Sequence, residues 1–231
     1  MALHRNFPDS PYVILDPEVR WFPADEALRD TTMDKLMPPL VAQLRRKVKE
    51  FRDAGYVGAS ATSKSLLTWW FKEPHLLPAT DAVMHSFQYF FAQREAIETI
   101  VYLHDVVGAK DKFDLMRFDS TGAVSAGMFD ENWRRYVIKM ATGSGKTKVM
   151  SLALAWSYYH KLYEPDSDLA RNFLVIAPNI IVLDRIYHDF QGLRIFFADP
   201  VLPDNGYDGR DWRDDFQLTL HKQDEVNVTR A

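Results

Sequence analysis

Cysteine is absent from the 231-residue chain. That removes disulfide scaffolds, thiolate zinc sites and cysteine nucleophiles together, and it suits a reducing, intracellular compartment. Long apolar runs are missing as well: the longest candidate, residues 149–159, falls short of the ~18 unbroken apolar residues that a membrane span needs. At the N-terminus, Pro8, Asp9, Pro11, Asp16 and Pro17 interrupt any basic-then-apolar leader, so no secretory signal is expected. The expected setting is soluble and cytoplasmic, with no membrane partner. Neither charge dominates, because 28 Lys+Arg against 32 Asp+Glu leaves a net −4, so any nucleic-acid site must be local. The 7 histidines show no H-E-x-x-H or similar spacing and read as surface or core residues.

What is present suffices for a folded core. Hydrophobic residues make up 47% and charged residues 26%, ordinary for a globular chain, and the length fits one large domain or a domain with an extension. Residues 1–30 carry prolines at 8, 11, 17 and 23, which predicts an irregular arm with a short strand at Tyr12–Leu15. Over residues 35–54, Leu40, Val41, Leu44, Val48 and Phe51 recur every three or four positions, opposite Arg45, Arg46, Lys47 and Lys49. This predicts an amphipathic helix stopped by Gly55, its basic face solvated. A second helix is expected over 60–71, its Trp69-Trp70-Phe71 cluster packed inward rather than stacking on bases. A third runs over 87–104, with Phe90, Arg94, Ile97 and Val101 on one stripe. From Asp105 to Asn132 the periodicity fades, as in a long loop or insertion.

Beyond it the pattern changes to strand (135–140), helix (145–162), strand (172–177) and helix (179–190). Such alternation predicts an α/β fold with parallel strands and crossover helices. A last short strand is expected at 216–220.

Between the first of these strands and its helix lies Ala141-Thr142-Gly143-Ser144-Gly145-Lys146-Thr147. Gly143 and Gly145 let a polyphosphate approach the backbone, and Lys146 brings a full positive charge. The helix N-terminus adds free N–H groups, and the Thr147 hydroxyl is placed to hold Mg²⁺. ATP and Mg²⁺ are therefore the expected cofactors. The general phosphate-loop pattern has a glycine six residues before the lysine, where Met140 stands here.

This loop resembles motif I of superfamily-two DEAD/DEAH-type helicases and DNA translocases, in which alanine takes the first glycine's place one position later. The segment Phe173–Ile186, with Ala177-Pro178-Asn179, resembles the motif Ia region of the type III restriction-enzyme Res subunit and the UvrB-like N-terminal helicase domain. Phe90-Phe-Ala-Gln-Arg-Glu-Ala-Ile97 resembles the upstream segment whose glutamine reads adenine. The resemblance covers roughly residues 88–190 and implies a partial RecA-like P-loop NTPase fold. It implies Gln93 as the adenine reader, residues 141–147 as the phosphate cradle with Lys146 and Thr147 as catalytic groups, and Pro178 and Asn179 as nucleic-acid contacts. It also implies DNA as partner, with a possible modification or nuclease subunit. An N-terminal leader (1–85) precedes the first part of motor domain 1 (86–231).

Hydrolysis needs an Asp-Glu pair at the end of an apolar strand, and the sequence offers no clear one. Asp25-Glu26 and Asp16 precede the loop, Asp184 falls on a helix, and Asp224-Glu225 lacks an apolar approach. The expectation is the N-terminal piece of an ATP-dependent DNA helicase or translocase, inactive alone. A small P-loop kinase, or a non-catalytic module that only senses nucleotide, are the other readings of the same loop.

Overall fold

The computed structural model describes residues 9–18, 40–78, 83–119, 121–128 and 135–222; Asp25-Glu26 and Asp224-Glu225 lie outside them. The chain divides into two compact units, each assembled from separated stretches: residues 1–60 with 89–144, and 61–88 with 145–231.

In the first unit, α1 (Val41–Asp53) forms where the three-four spacing of apolar residues predicts. It ends at Gly55, whose φ of 72° lies in the left-handed region that glycine adopts without strain. Helix α2 (Ala61–Phe71) and the strands β1 (His75–Pro78) and β2 (Met84–Phe87) belong to the second unit. The first unit resumes with α3 (Phe91–Val101), which runs into a π-helical turn, Tyr102–Val106. The expected loop that follows carries the short α4 (Lys112–Met116) and a 3₁₀ turn at Ala126–Met128.

Buried Val48, Phe51 and Tyr56 pack in this unit with Ile97, Val101 and Leu103. At its centre sits Glu98, fully buried. Arg52 Nε reaches one carboxylate oxygen at 2.7 Å, while Tyr56 Oη (2.7 Å) and Arg94 Nε (2.8 Å) reach the other. A buried carboxylate is tolerated only with such compensation, and this explains why Arg94 falls on the apolar stripe. Burial, with the Glu98 charge adding to it, pushes the Tyr56 hydroxyl well above the ordinary phenol range. The cations of α1 are neutralised as a solvated face would be: Arg46 pairs with Glu18, Lys47 with Glu50 and Lys49 with Asp53.

The second unit is built around α5 (Lys146–Tyr163). Its Leu152, Ala155, Trp156 and Tyr159 are buried, as are Leu66, Leu67 and Trp70 of α2. Trp69 Nε1 donates to Pro200 O (3.0 Å) and Trp70 Nε1 to Val201 O (2.8 Å), so the Trp69-Trp70 cluster is internal packing with its polar edges satisfied. Helix α6 (Ile180–Phe190) is followed by a 3₁₀ turn (Gln191–Leu193) and α7 (Arg194–Ala198). A 3₁₀ turn at Tyr207–Gly209 and α8 (Trp212–Asp215) close the described chain.

The parallel sheet is the main departure from expectation. Among the described residues the sheet is two-stranded and antiparallel, with His75 opposite Phe87 and Pro78 opposite Met84. Residues 135–140 and 172–177 are without regular structure, and Val137, Leu174 and Ile176 stand 83%, 85% and 82% exposed. An apolar run becomes a strand only when a neighbour takes its N–H and C=O groups in a ladder; among the described residues no ladder includes either segment. The strands expected at 12–15 and 216–220 are likewise irregular. No described helix is long and apolar enough to cross a membrane.

Candidate functional site

The boundary between the two units falls between Ser144 and Gly145, inside the glycine-rich turn. On the first-unit side, Ser144 Oγ donates to Ala141 O (2.7 Å), closing a tight local turn. Gly143 has φ 80°, and a Cβ built on it would meet nothing within 4 Å. The turn is thus open above its backbone and needs glycine for conformation rather than for space.

Gln93 ties this part of the turn to α3. It is 3% exposed; its Oε1 accepts from Phe90 N (2.9 Å), and its Nε2 donates to Ser144 O (3.0 Å). The first bond caps the start of α3, satisfying a donor that the helix leaves free. The second crosses 51 positions of sequence. Just before Gln93, Tyr89 is buried and the Phe90 ring packs on Tyr12 at 5.3 Å.

On the second-unit side, Gly145 is the N-cap of α5 with φ 77° and ψ 43°. Lys146 is exposed and Thr147 half-buried at the first turn. The amides of Gly145 and Thr147 have no hydrogen-bond partner among the described residues. Donors of this kind, at the positive end of an 18-residue helix, form an anion-binding arrangement. A triphosphate with its Mg²⁺ fits this donor set: backbone N–H groups and the Lys146 ammonium suit phosphate oxygens, and the Thr147 hydroxyl suits the metal.

An open pocket of about 370 Å³ adjoins this helix start, lined by Thr147 and Lys148 of α5, His188 and Asp189 of α6, and Arg194 and Asp199. Lys148 is ion-paired with Asp199 and lies over the Phe87 ring, 5.2 Å from its centroid. Apart from Thr147, these pocket residues follow no motif spacing and were not expected from the sequence.

Pro178 and Asn179 are exposed. Asn179 Oδ1 accepts from Val182 N (3.0 Å), so this residue is the N-cap of α6. Asp184 lies on α6, with Lys222 Nζ 3.4 Å away, and is not at a strand end. Asp16 Oδ1 accepts from Glu18 N in an exposed turn.

The family model described as type III restriction enzyme, res subunit, matches residues 86–228, more than half of the chain, and the chain belongs to that family, whose domain is the N-terminal domain of superfamily-two helicases. The same match spans Gln93, the glycine-rich turn and the Pro178-Asn179 cap. Neither a curated protein nor a solved structure matched the chain.

Proposed function

We propose that this chain is the ATP-binding N-terminal part of an ATP-dependent DNA helicase or translocase of the Res type. The observation that carries the reading is the turn at 141–147. Left-handed Gly145 and, in the first turn, Thr147 leave unclaimed amides at the start of an 18-residue helix, inside a segment of the helicase family.

In this reading the backbone of residues 141–147 holds the phosphates, Lys146 neutralises their charge and Thr147 holds Mg²⁺. The metal, when bound, supplies charge stabilisation across the terminal phosphates. Gln93 retains one amide N–H and one oxygen lone pair beyond its internal bonds, which suit the adenine edge. Pro178 and Asn179 contact the DNA backbone, and a modification or nuclease subunit is a fitting partner. Residues 1–85 serve as a leader and 86–231 as the first part of the motor domain. In the parent protein, residues 135–140 and 172–177 are parallel strands of the RecA-like sheet, and their exposed apolar side chains support this. Hydrolysis also requires carboxylates that activate the attacking water.

The test is nucleotide-dependent DNA unwinding or translocation by the parent protein. Lys146→Ala is expected to abolish it, and unchanged activity would reject the reading.

A further inference from the structure

The motif supplies one lysine for the phosphates, yet the pocket beside Thr147 holds a second cation that no motif spacing picks out. Arg194 lines that pocket at the start of α7. Two consecutive left-handed residues put it there: Gly192 (φ 62°) and Leu193 (φ 58°). The second of these is a non-glycine in a region that side chains rarely adopt. Phe196 then fixes the rotation of α7. It is 1% exposed, with ring centroids 5.5 Å from Phe190 and 4.8 Å from Phe216. With Phe196 in the core, Arg194 and Ala198, one turn apart, share the face that borders the pocket.

The charges around Arg194 are already assigned. Lys148 is spent on Asp199, whereas Arg194 has neither hydrogen bond nor ion pair among the described residues. Asp189 lines the same pocket, so it presents both signs, which suits a metal–phosphate pair better than a bare anion.

We infer that Arg194 contacts the terminal phosphate of the bound nucleoside triphosphate, so that this unit distinguishes ATP from ADP with an arginine of its own. The inference rests on the nucleotide-binding reading above. Thr147 would hold the Mg²⁺ of a bound nucleoside triphosphate, which would supply positive charge at the terminal phosphates, and Arg194, lining the same pocket as Thr147, would place its guanidinium at that end of the triphosphate. Its planar fork matches phosphate oxygens in a way an ammonium does not.

The test is titration calorimetry of the whole chain with Mg·ATP and Mg·ADP, comparing wild type, Arg194→Ala, Arg194→Lys and Lys146→Ala. Arg194→Ala is expected to weaken ATP about tenfold or more while leaving ADP within about twofold, as loss of one charge-assisted contact requires. Arg194→Lys is expected to restore part of the difference, and melting temperatures should not change. Lys146→Ala should weaken both nucleotides. An unchanged ATP-to-ADP ratio in Arg194→Ala, or equal weakening of both, overturns the inference and leaves the phosphate-loop reading standing. A wild-type chain that binds neither nucleotide overturns both. Undiminished binding of both nucleotides by Lys146→Ala overturns the loop reading alone if the Arg194→Ala ratio still shifts.

Discussion

Replacing Gln93 by glutamate tests the link between α3 and the glycine-rich turn with a change of one atom. The side chain keeps an oxygen to accept from Phe90 N. Opposite Ser144 O, however, an acceptor replaces the Nε2 donor. At neutral pH a carboxylate 97% removed from solvent, judging by the 3% exposure of Gln93, would face a carbonyl oxygen. Losing the donor and leaving a buried acceptor unmet costs about 1–3 kcal/mol, and desolvating the charge adds to it. Both effects raise the carboxyl pKa in the folded state above its unfolded value. The penalty is therefore greatest above the folded-state pKa and shrinks as pH falls through it, because the protonated acid can donate to Ser144 O again. The expected loss is about 2–4 kcal/mol at pH 7, falling toward about 1 kcal/mol near pH 5. Gln93→Met, which removes both bonds without a charge, should cost about 1–3 kcal/mol at every pH. Urea denaturation of the three proteins from pH 5 to pH 8 measures this. A Gln93→Glu penalty that does not vary with pH, or a Gln93→Met cost below about 0.5 kcal/mol, would refute the reasoning.

Glu98→Ala leaves Arg52 and Arg94 without their shared buried counter-charge. It should cost about 3–5 kcal/mol in urea denaturation; a loss under about 1 kcal/mol would show that the cluster contributes little net stability. Glu164 accepts from Thr62 N (2.8 Å) in the first turn of α2. Burial pushes its carboxyl up, but the hydrogen bonds from Thr62 outweigh that and hold it below the ordinary glutamate range. Its contribution is present above that range and lost as pH falls through the lowered value. Glu164→Gln should then cost about 0.5–1.5 kcal/mol at neutral pH, with the gap to wild type closing in acid. Gly143→Ala meets no neighbour, so its cost is conformational alone, about 1–2 kcal/mol; a neutral result by thermal melting would mean that the left-handed turn is not kept in solution.

The helices were legible because their apolar spacing is local. The helix expected over 145–162 is Lys146–Tyr163, and that expected over 179–190 is Ile180–Phe190. Asn179 announces its cap by residue type alone. The sheet was not legible in the same way, since a strand depends on a partner elsewhere in the chain. Val137 and Leu174 have the expected apolar character but no neighbouring ladder among the described residues. The pairing of His75–Pro78 with Met84–Phe87 went unread because a proline, two histidines and a serine give those segments little strand character. Gln93 could be picked out as a candidate, but its bond to Ser144 O spans a separation that no periodicity encodes. Arg194 carries no sequence signal; its place in the pocket follows from a left-handed backbone and a buried phenylalanine two residues on.

The central claim is that the turn at 141–147 grips a nucleoside triphosphate through backbone amides and the Lys146 ammonium. Calorimetric titration of the chain with Mg·ATP tests it most directly. The account predicts measurable binding that Lys146→Ala weakens about tenfold or more, without loss of folded structure. Equal affinity in the two proteins, or no binding in the wild type, would contradict it.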